Sequence, residues 1–189
     1  IAIGADSMNS GTGQITGDNN IAIGVSAGDA LTSGIKNVFM GFDAGGAVNS
    51  GNYNIAIGNL AGDGVTTGGS NILLGSLAGD GISDASHIVA IGDSAARLGT
   101  VTTDANGSVA VGSYSLGSLT SGIANTAVGY EALQAEDDGD YNTAVGYGVF
   151  NKQTGTSGTT ANSGLGYRAG YYNTTGVKNT YIGYHSGFG

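Results

Sequence analysis

"NTAVGYEALQAEDDGDYNTAVGYGVF", residues 125–150, states the hexapeptide NTAVGY twice, opening at Asn125 and again at Asn142. The copies lie 17 residues apart, and much of the sequence between them has drifted. Identity at a fixed offset, with free variation elsewhere, is the mark of a stacked array rather than of a single globular core.

The period extends through the chain. Glycines that close an aliphatic triplet such as IAIG, VFMG or TAVG stand at Gly4, Gly24, Gly41, Gly58, Gly75, Gly92, Gly112, Gly129, Gly146, Gly166 and Gly183. Successive spacings are 17 residues, except for three of 20. The extra residues fall in "MNSGTGQITGDNN", "ARLGTVTTDANGS" and "NKQTGTSGTTAN", which marks those stretches as surface turns.

With the glycine numbered position 4, the columns describe one coil. Position 3 is aliphatic in all eleven copies, from Ile3 to Ile182. Position 1 is Ile or Val in the first seven and Thr or Ser in the last four. Positions 1 and 3 share one face of a strand, and β-branched residues suit it, so these two columns are expected to face the coil interior. Position 7, in GxxA, is small or Val (Ala27, Ala44, Ala61, Ala78 and Ala132 among them), which suggests a second short strand or an extended return. "TSG" at 32–34 and "TTG" at 66–68 then turn the chain back. The expected fold is all-β, a parallel β-solenoid of about eleven coils in one array over 1–189.

Two further columns bear on assembly. Asn precedes the triplet in eight of ten copies: Asn20, Asn37, Asn54, Asn71, Asn125, Asn142, Asn162 and Asn179. It fits either a buried amide ladder, broken at Ile88 and Ser108, or a turn residue with a left-handed backbone. Position 2 alternates with the expected interior, so it is expected to point outward. It is mostly Ala, with Phe39, Leu73, Gly164 and Tyr181 as exceptions. Small apolar residues on an outward face suggest a neighbouring chain, which makes Ala22, Ala56, Ala90, Ala110, Ala127 and Ala144 the candidates for an inter-chain axis. An ordinary Ala-bearing surface is the alternative.

Composition narrows the partners. Net charge is −9, with 14 acidic and five scattered basic residues, a poor match to phosphate backbones or anionic membranes. Nucleic acid is not expected as a partner. Glycine is abundant (38) but neither every third residue nor accompanied by proline, which is absent, so the chain is not collagen-like. There is no cysteine for disulfides or thiolate metal sites. No apolar run is long enough for a spanning helix, so membrane insertion is not expected. Both ends fall inside the repeat, and the segment is expected to belong to something longer.

The units "NIAIGxxAG" and "NTAVGYxAL" resemble the head repeats of YadA-like trimeric autotransporter adhesins, and equally the shaft repeats of bacteriophage tail fibres and related surface fibres. The resemblance covers essentially the whole chain. It implies a left-handed parallel β-roll, three chains about one axis, and the triplet strand facing that axis. It also implies an extracellular homotrimer on a virion or a bacterial surface, with a cell-surface glycan or protein receptor as partner. The adhesin heads use a shorter repeat, so the turn here is longer, which favours the fibre branch.

Little in the chain points to catalysis. His87 and His185 lie in different rows without metal-ligand spacing and read as surface turn residues. There is no P-loop and no convergence of acids and bases. No enzyme activity and no cofactor are expected. Glu136, Asp137, Asp138 and Asp140 in "EDDGD" offer oxygens of the kind Ca²⁺ takes, though outside any EF-hand pattern, and a solvated turn explains them as well. Asp29, Asp63 and Asp80 share position 9, read as a surface column of charge. The Asn-X-Ser/Thr matches at Asn106 and Asn173 are expected by chance. Tyr130, Tyr147, Tyr167 and Tyr184 fill position 5 in four consecutive rows, while position 1 becomes Thr/Ser. They suggest a stacked ladder that replaces lost core burial, or else an aromatic strip for binding a surface glycan. The function expected is a structural and adhesive fibre segment mediating attachment. An ice- or surface-binding solenoid and a carbohydrate-active β-helix enzyme are the other two readings.

Overall fold

Each triplet after the first becomes a three-residue strand, the first a two-residue one, and each pairs with the next in the register the glycine alignment demands. The computed structural model of the chain describes residues 1–11, 14–97, 105–155 and 157–188. One parallel sheet of eleven strands runs β1 (Ala2–Ile3), β2 (Ile21–Ile23), β3 (Val38–Met40), β4 (Ile55–Ile57), β5 (Ile72–Leu74), β6 (Val89–Ile91), β7 (Val109–Val111) and β8 (Thr126–Val128). It continues with β10 (Thr143–Val145), β12 (Ser163–Leu165) and β13 (Thr180–Ile182). Between them, β9 (Gly139–Asp140) and β11 (Gly158–Thr159) form a separate parallel pair. The fold is a parallel β-solenoid of about ten turns with coils of roughly 17 residues, and no α-helix occurs among the described residues. Part of the insertion "ARLGTVTTDANGS", expected as a surface turn, lies outside the described residues.

The position 4 glycine is what lets coils repeat at strand spacing. Its φ lies between 118° and 141° in all eleven copies, a region closed to side chains. A Cβ on Gly58 would also sit 2.3 Å from the carbonyl oxygen of Gly75 in the next coil.

The strands face the opposite way from the sequence expectation. Position 2 points inward: Ala22, Ala56, Ala90, Ala110, Ala127 and Ala144 are fully buried within a single chain, so they cannot line an inter-chain axis. Positions 1 and 3 point outward, leaving Ile57 and Ile72 nearly 40% exposed, at 39% and 38%. The reason is thickness. The coil is too thin to take two β-branched side chains per strand, but it accepts one inward residue. Where that residue is large, its neighbours shrink. The Phe39 ring occupies the space that side chains on Gly28 and Gly45 would need, 2.7 and 2.4 Å from their added Cβ atoms, and Leu73 does the same at Gly62 and Gly79. Where the inward residue is Ala110, Ala127 or Ala144, position 8 instead carries Leu116, Leu133 or Phe150, all fully buried. Their left-handed backbones (φ 46°, 50° and 51°) match the glycine they replace.

The GxxA segment is a pair of tight turns rather than a second strand. Ala27 N–H donates to Gly24 O at 3.4 Å and Leu31 N–H to Gly28 O at 3.1 Å. Position 6 takes a left-handed conformation, as at Ser26, Asp43 and Leu60 (φ 54–55°), which costs about 1–2 kcal/mol per residue. Each such corner is held by its neighbour: Leu60 N–H donates to Phe42 O and Leu77 N–H to Asn59 O, both at 2.9 Å.

The asparagine column forms the buried ladder, and the left-handed residue is its predecessor, as at Lys36 (φ 58°) and Tyr53 (φ 59°). Asn37 Oδ1 accepts the Asn54 N–H at 2.8 Å, while Asn37 Nδ2 donates to Gly51 O at 2.8 Å. The pattern recurs down the rod. Ile88 N–H still donates to Asn71 Oδ1 (2.9 Å), but Ile88 hands nothing on, and the ladder resumes when Ser108 Oγ accepts Asn125 N–H at 3.2 Å. Replacing Asn54 by Ala would orphan the buried Gly68 carbonyl and Asn71 N–H. Asn54→Ala is expected to cost about 2–4 kcal/mol in denaturant unfolding, against nearly nothing for Asn59→Ala on an exposed turn.

Candidate functional site

Because positions 1 and 3 face out, the eleven-stranded sheet presents an aliphatic surface. From Ile21 and Ile23 to Val109 and Val111, every outward side chain of six successive strands is Ile, Val, Leu or Met. A contiguous apolar face of this kind marks an interaction surface. In the last four rows position 1 is Thr126, Thr143, Ser163 and Thr180, while position 3 stays aliphatic. A shallow groove there is lined by Thr143, Val145, Ser163, Leu165, Thr180 and Ile182. The change at position 1 therefore alters the outer face. It does not deprive the core, as the sequence suggested, since Leu133 and Phe150 are buried in those same rows.

Beside this face runs the tyrosine column. Rings of Tyr130, Tyr147, Tyr167 and Tyr184 stack at 5.2, 5.3 and 5.3 Å with interplanar angles of 22°, 20° and 11°. Strand spacing sets this repeat, and the offset stack contributes about 0.5–1.5 kcal/mol per pair. Ring faces cover one another, so what remains exposed, about 40% of each of the first three residues, is edge and hydroxyl. Glu131 bonds the Tyr130 hydroxyl and holds it above the ordinary phenol range. At the far end His185 stacks on Tyr184 (4.2 Å) and Phe188 (4.1 Å), while His87 is an exposed corner residue (φ 62°). The guanidinium of Arg168 lies over Tyr147, Tyr167 and Tyr171 at 5.7, 5.3 and 5.0 Å. Lys152 lies over Tyr171 at 5.8 Å.

The carboxylates gather elsewhere. Asp29, Asp63 and Asp80 follow one another down position 9, and Gly46, which interrupts them, makes room for Asp43. A side chain at Gly46 would meet Asp43 Oδ1 at 2.2 Å and Asp63 Oδ1 at 2.8 Å, so the two carboxylates converge there. Burial first, then the charges of Asp43, Asp80 and Asp29, push Asp63 up from 3.8 to about 6. Burial likewise raises Asp29, with Asp43 adding to it. Arg97 Nε, 3.7 Å from Asp80 Oδ2, makes the one ion pair among the described residues.

"EDDGD" divides in two. Glu136, Asp137 and Asp138 bring ligand atoms within 4.8 Å of one another, while Asp140 is apart, accepting the Ile123 N–H at 3.0 Å. Glu136 turns into the coil interior at the column held by Leu31, Val48, Val65, Ile82 and Leu119 in other rows. Its Oε1 accepts Gly139 N–H at 2.7 Å and its Oε2 accepts from Gln153 Nε2. Gln153 Oε1 in turn accepts from Asn162 Nδ2 at 3.0 Å. Burial raises the Glu136 pKa, and these two donors work against the rise. Both Glu136 oxygens are thus already committed inside the protein.

The sequence also carries a signal in where its charges fall. The basic residues are not scattered. Residues 141–189 hold Lys152, Arg168 and Lys178 and no Asp or Glu, a formal +3. Residues 1–140 hold all 14 acids against Lys36 and Arg97, a formal −12. The four-tyrosine column straddles the boundary and ends in the cationic part.

Because Asp63 is harder to deprotonate in the fold than in the unfolded chain, its favourable contribution is complete below about pH 4 and is lost as pH rises through about 6. The melting temperature is therefore expected to fall between about pH 4 and 6, and Asp63→Asn to flatten that fall, as read by thermal scans at matched ionic strength.

No family model, no curated protein and no solved structure matches this chain.

Proposed function

We propose that the chain is a segment of a homotrimeric extracellular fibre that carries or presents an attachment surface, on a virion or a bacterial cell. The observation that carries this is the outward aliphatic face. Six strands of bare Ile, Val, Leu and Met along one side of a thin coil call for a protein partner, and a copy of the same chain offers a matching face at the same rung spacing. The resemblance of the repeats to adhesin heads and tail-fibre shafts supplies the number three and the left hand. It also turns the triplet strand toward the axis, which agrees with the outward direction of positions 1 and 3. Ten intervals of ~4.8 Å give this segment a length on the order of 50 Å. No helix among the described residues is long and apolar enough to cross a membrane.

Substitutions separate assembly from folding. Ile55→Glu with Ile72→Glu puts carboxylates on the outer face and is expected to reduce the mass in sedimentation equilibrium from three chains to one, with the β-sheet circular dichroism retained. Ala127→Glu buries an unpaired charge in the coil and is expected to abolish the fold itself. A parent chain that sediments as a stable monomer would defeat the reading.

A further inference from the structure

We propose that the tyrosine column and the cations beside it bind an acidic polysaccharide, an extended chain of uronate-type sugars lying along the rod. This rests on the attachment-fibre reading above and names the chemistry of its ligand.

Three observations converge on it. The first is charge. In a protein of net −9, a carboxylate-free stretch with three cations runs from residue 141 to 189 and includes Tyr147, Tyr167 and Tyr184. A polyanion repelled by the rest of the rod is thereby confined to this end. Separate charges influence one another over about 8–10 Å in physiological salt, roughly two rungs, so Tyr167 lies at the limit of the field of Glu131 and Tyr184 beyond it.

The second is the state of Arg168. Its guanidinium is packed over three tyrosine rings and makes no hydrogen bond or ion pair among the described residues, and its Nε is buried without a partner. The only ion pair among those residues is on another row. A cation held in place by rings and left without a counter-charge is preorganised for an incoming carboxylate, which it takes in a fork geometry.

The third is spacing. The rings recur at 5.2–5.3 Å, about one sugar of an extended β-1,4-linked chain, so one phenol edge meets each successive residue. The stack hides the ring faces, so the sugars are met by hydroxyl hydrogen bonds along a row rather than by single stacking platforms. Neutral and charged glycans of the same linkage then differ only in what Arg168 and Lys152 contribute.

The test uses the whole chain and a β-1,4-linked hexamannuronate as probe, with cellohexaose as the uncharged chain of the same linkage and a hexathymidylate as a polyanion without sugar-acid spacing. Titration calorimetry is expected to show hexamannuronate binding that weakens as salt is raised, with the other two much weaker. Arg168→Gln is expected to reduce affinity about tenfold, as is Tyr147→Phe with Tyr167→Phe, which keeps the stack and removes the hydroxyls. Melting temperature and oligomeric mass are expected to stay at parental values in both variants. No binding of hexamannuronate, equal binding of cellohexaose, or equal binding of hexathymidylate with no effect of the Tyr→Phe pair would each overturn the proposal. The fibre reading would survive any of these results if the parent mass is three chains, and would fail separately if it is not.

Discussion

Every coil of this protein is held by hydrogen bonds to the coil beneath it, and this constraint shapes the rest. A parallel stack has no turn of its own to close it, so each rung must offer donors and acceptors at the same places as its neighbours. The strands do so through eleven aligned triplets. The left-handed corners do so as well, where Ser94 N–H reaches Ser76 O and Glu131 N–H reaches Ser113 O. Inside, where no water can serve, the asparagine amides take over the same task. A repeat in sequence is thus the chemical condition for a repeat in hydrogen bonding. It also accounts for the absence of proline, which would remove a donor from one rung and strand an acceptor on another.

The period and the strand positions were legible because each is set by this one requirement, and the asparagine column was legible as a column, the ladder being one of two readings it allowed. The direction of the strand was not. Alternation says that positions 1 and 3 oppose position 2, and it is silent on which side is the interior. Bulk was the misleading cue, since β-branched residues usually lie inside. What decides the matter is how little room a single coil encloses, and the sequence does hold a trace of it. Phe39 and Leu73 sit in rows with glycine at position 8, while Leu116, Leu133 and Phe150 sit at position 8 in rows with alanine at position 2. That exchange of size between two columns is expected only if both face the same small space. Position 7 was misread for a related reason: small residues there suit a tight corner under the strand as well as they suit a second strand.

The surfaces divide along the rod. Toward the N-terminal end the outer sheet face is wholly aliphatic and the turns are acidic, with Asp29, Asp43, Asp63 and Asp80 in mutual repulsion. Toward the C-terminal end the face gains hydroxyls, the core admits Glu136 and Gln153, and the turns become aromatic and basic. The transition falls near Thr126 for the strand face, Tyr130 for the aromatic column and Glu136 for the core. Three columns that touch different environments change within a single coil, which marks that coil as a junction between two differently specified stretches of one solenoid.

The exchange of large and small residues between columns also bears on how such a chain avoids misfolding. Near-identical rungs invite a strand to pair with the next rung but one, looping out a whole coil at small cost in hydrogen bonds. Phe150 blocks this near its own end of the rod. Its ring is accommodated by Gly164 and Gly170 in the following coil, 2.7 and 2.3 Å from where their Cβ atoms would stand. Skipping that coil would bring the Phe150 ring against Tyr181 at the place meant for Gly164, two rings where there is space for one. Phe39, which needs glycine at position 8 both in its own coil and in the one before, constrains the other end. A few bulky side chains thus act as counters that tell one rung from the next during folding, in a chain whose backbone alone could not keep count.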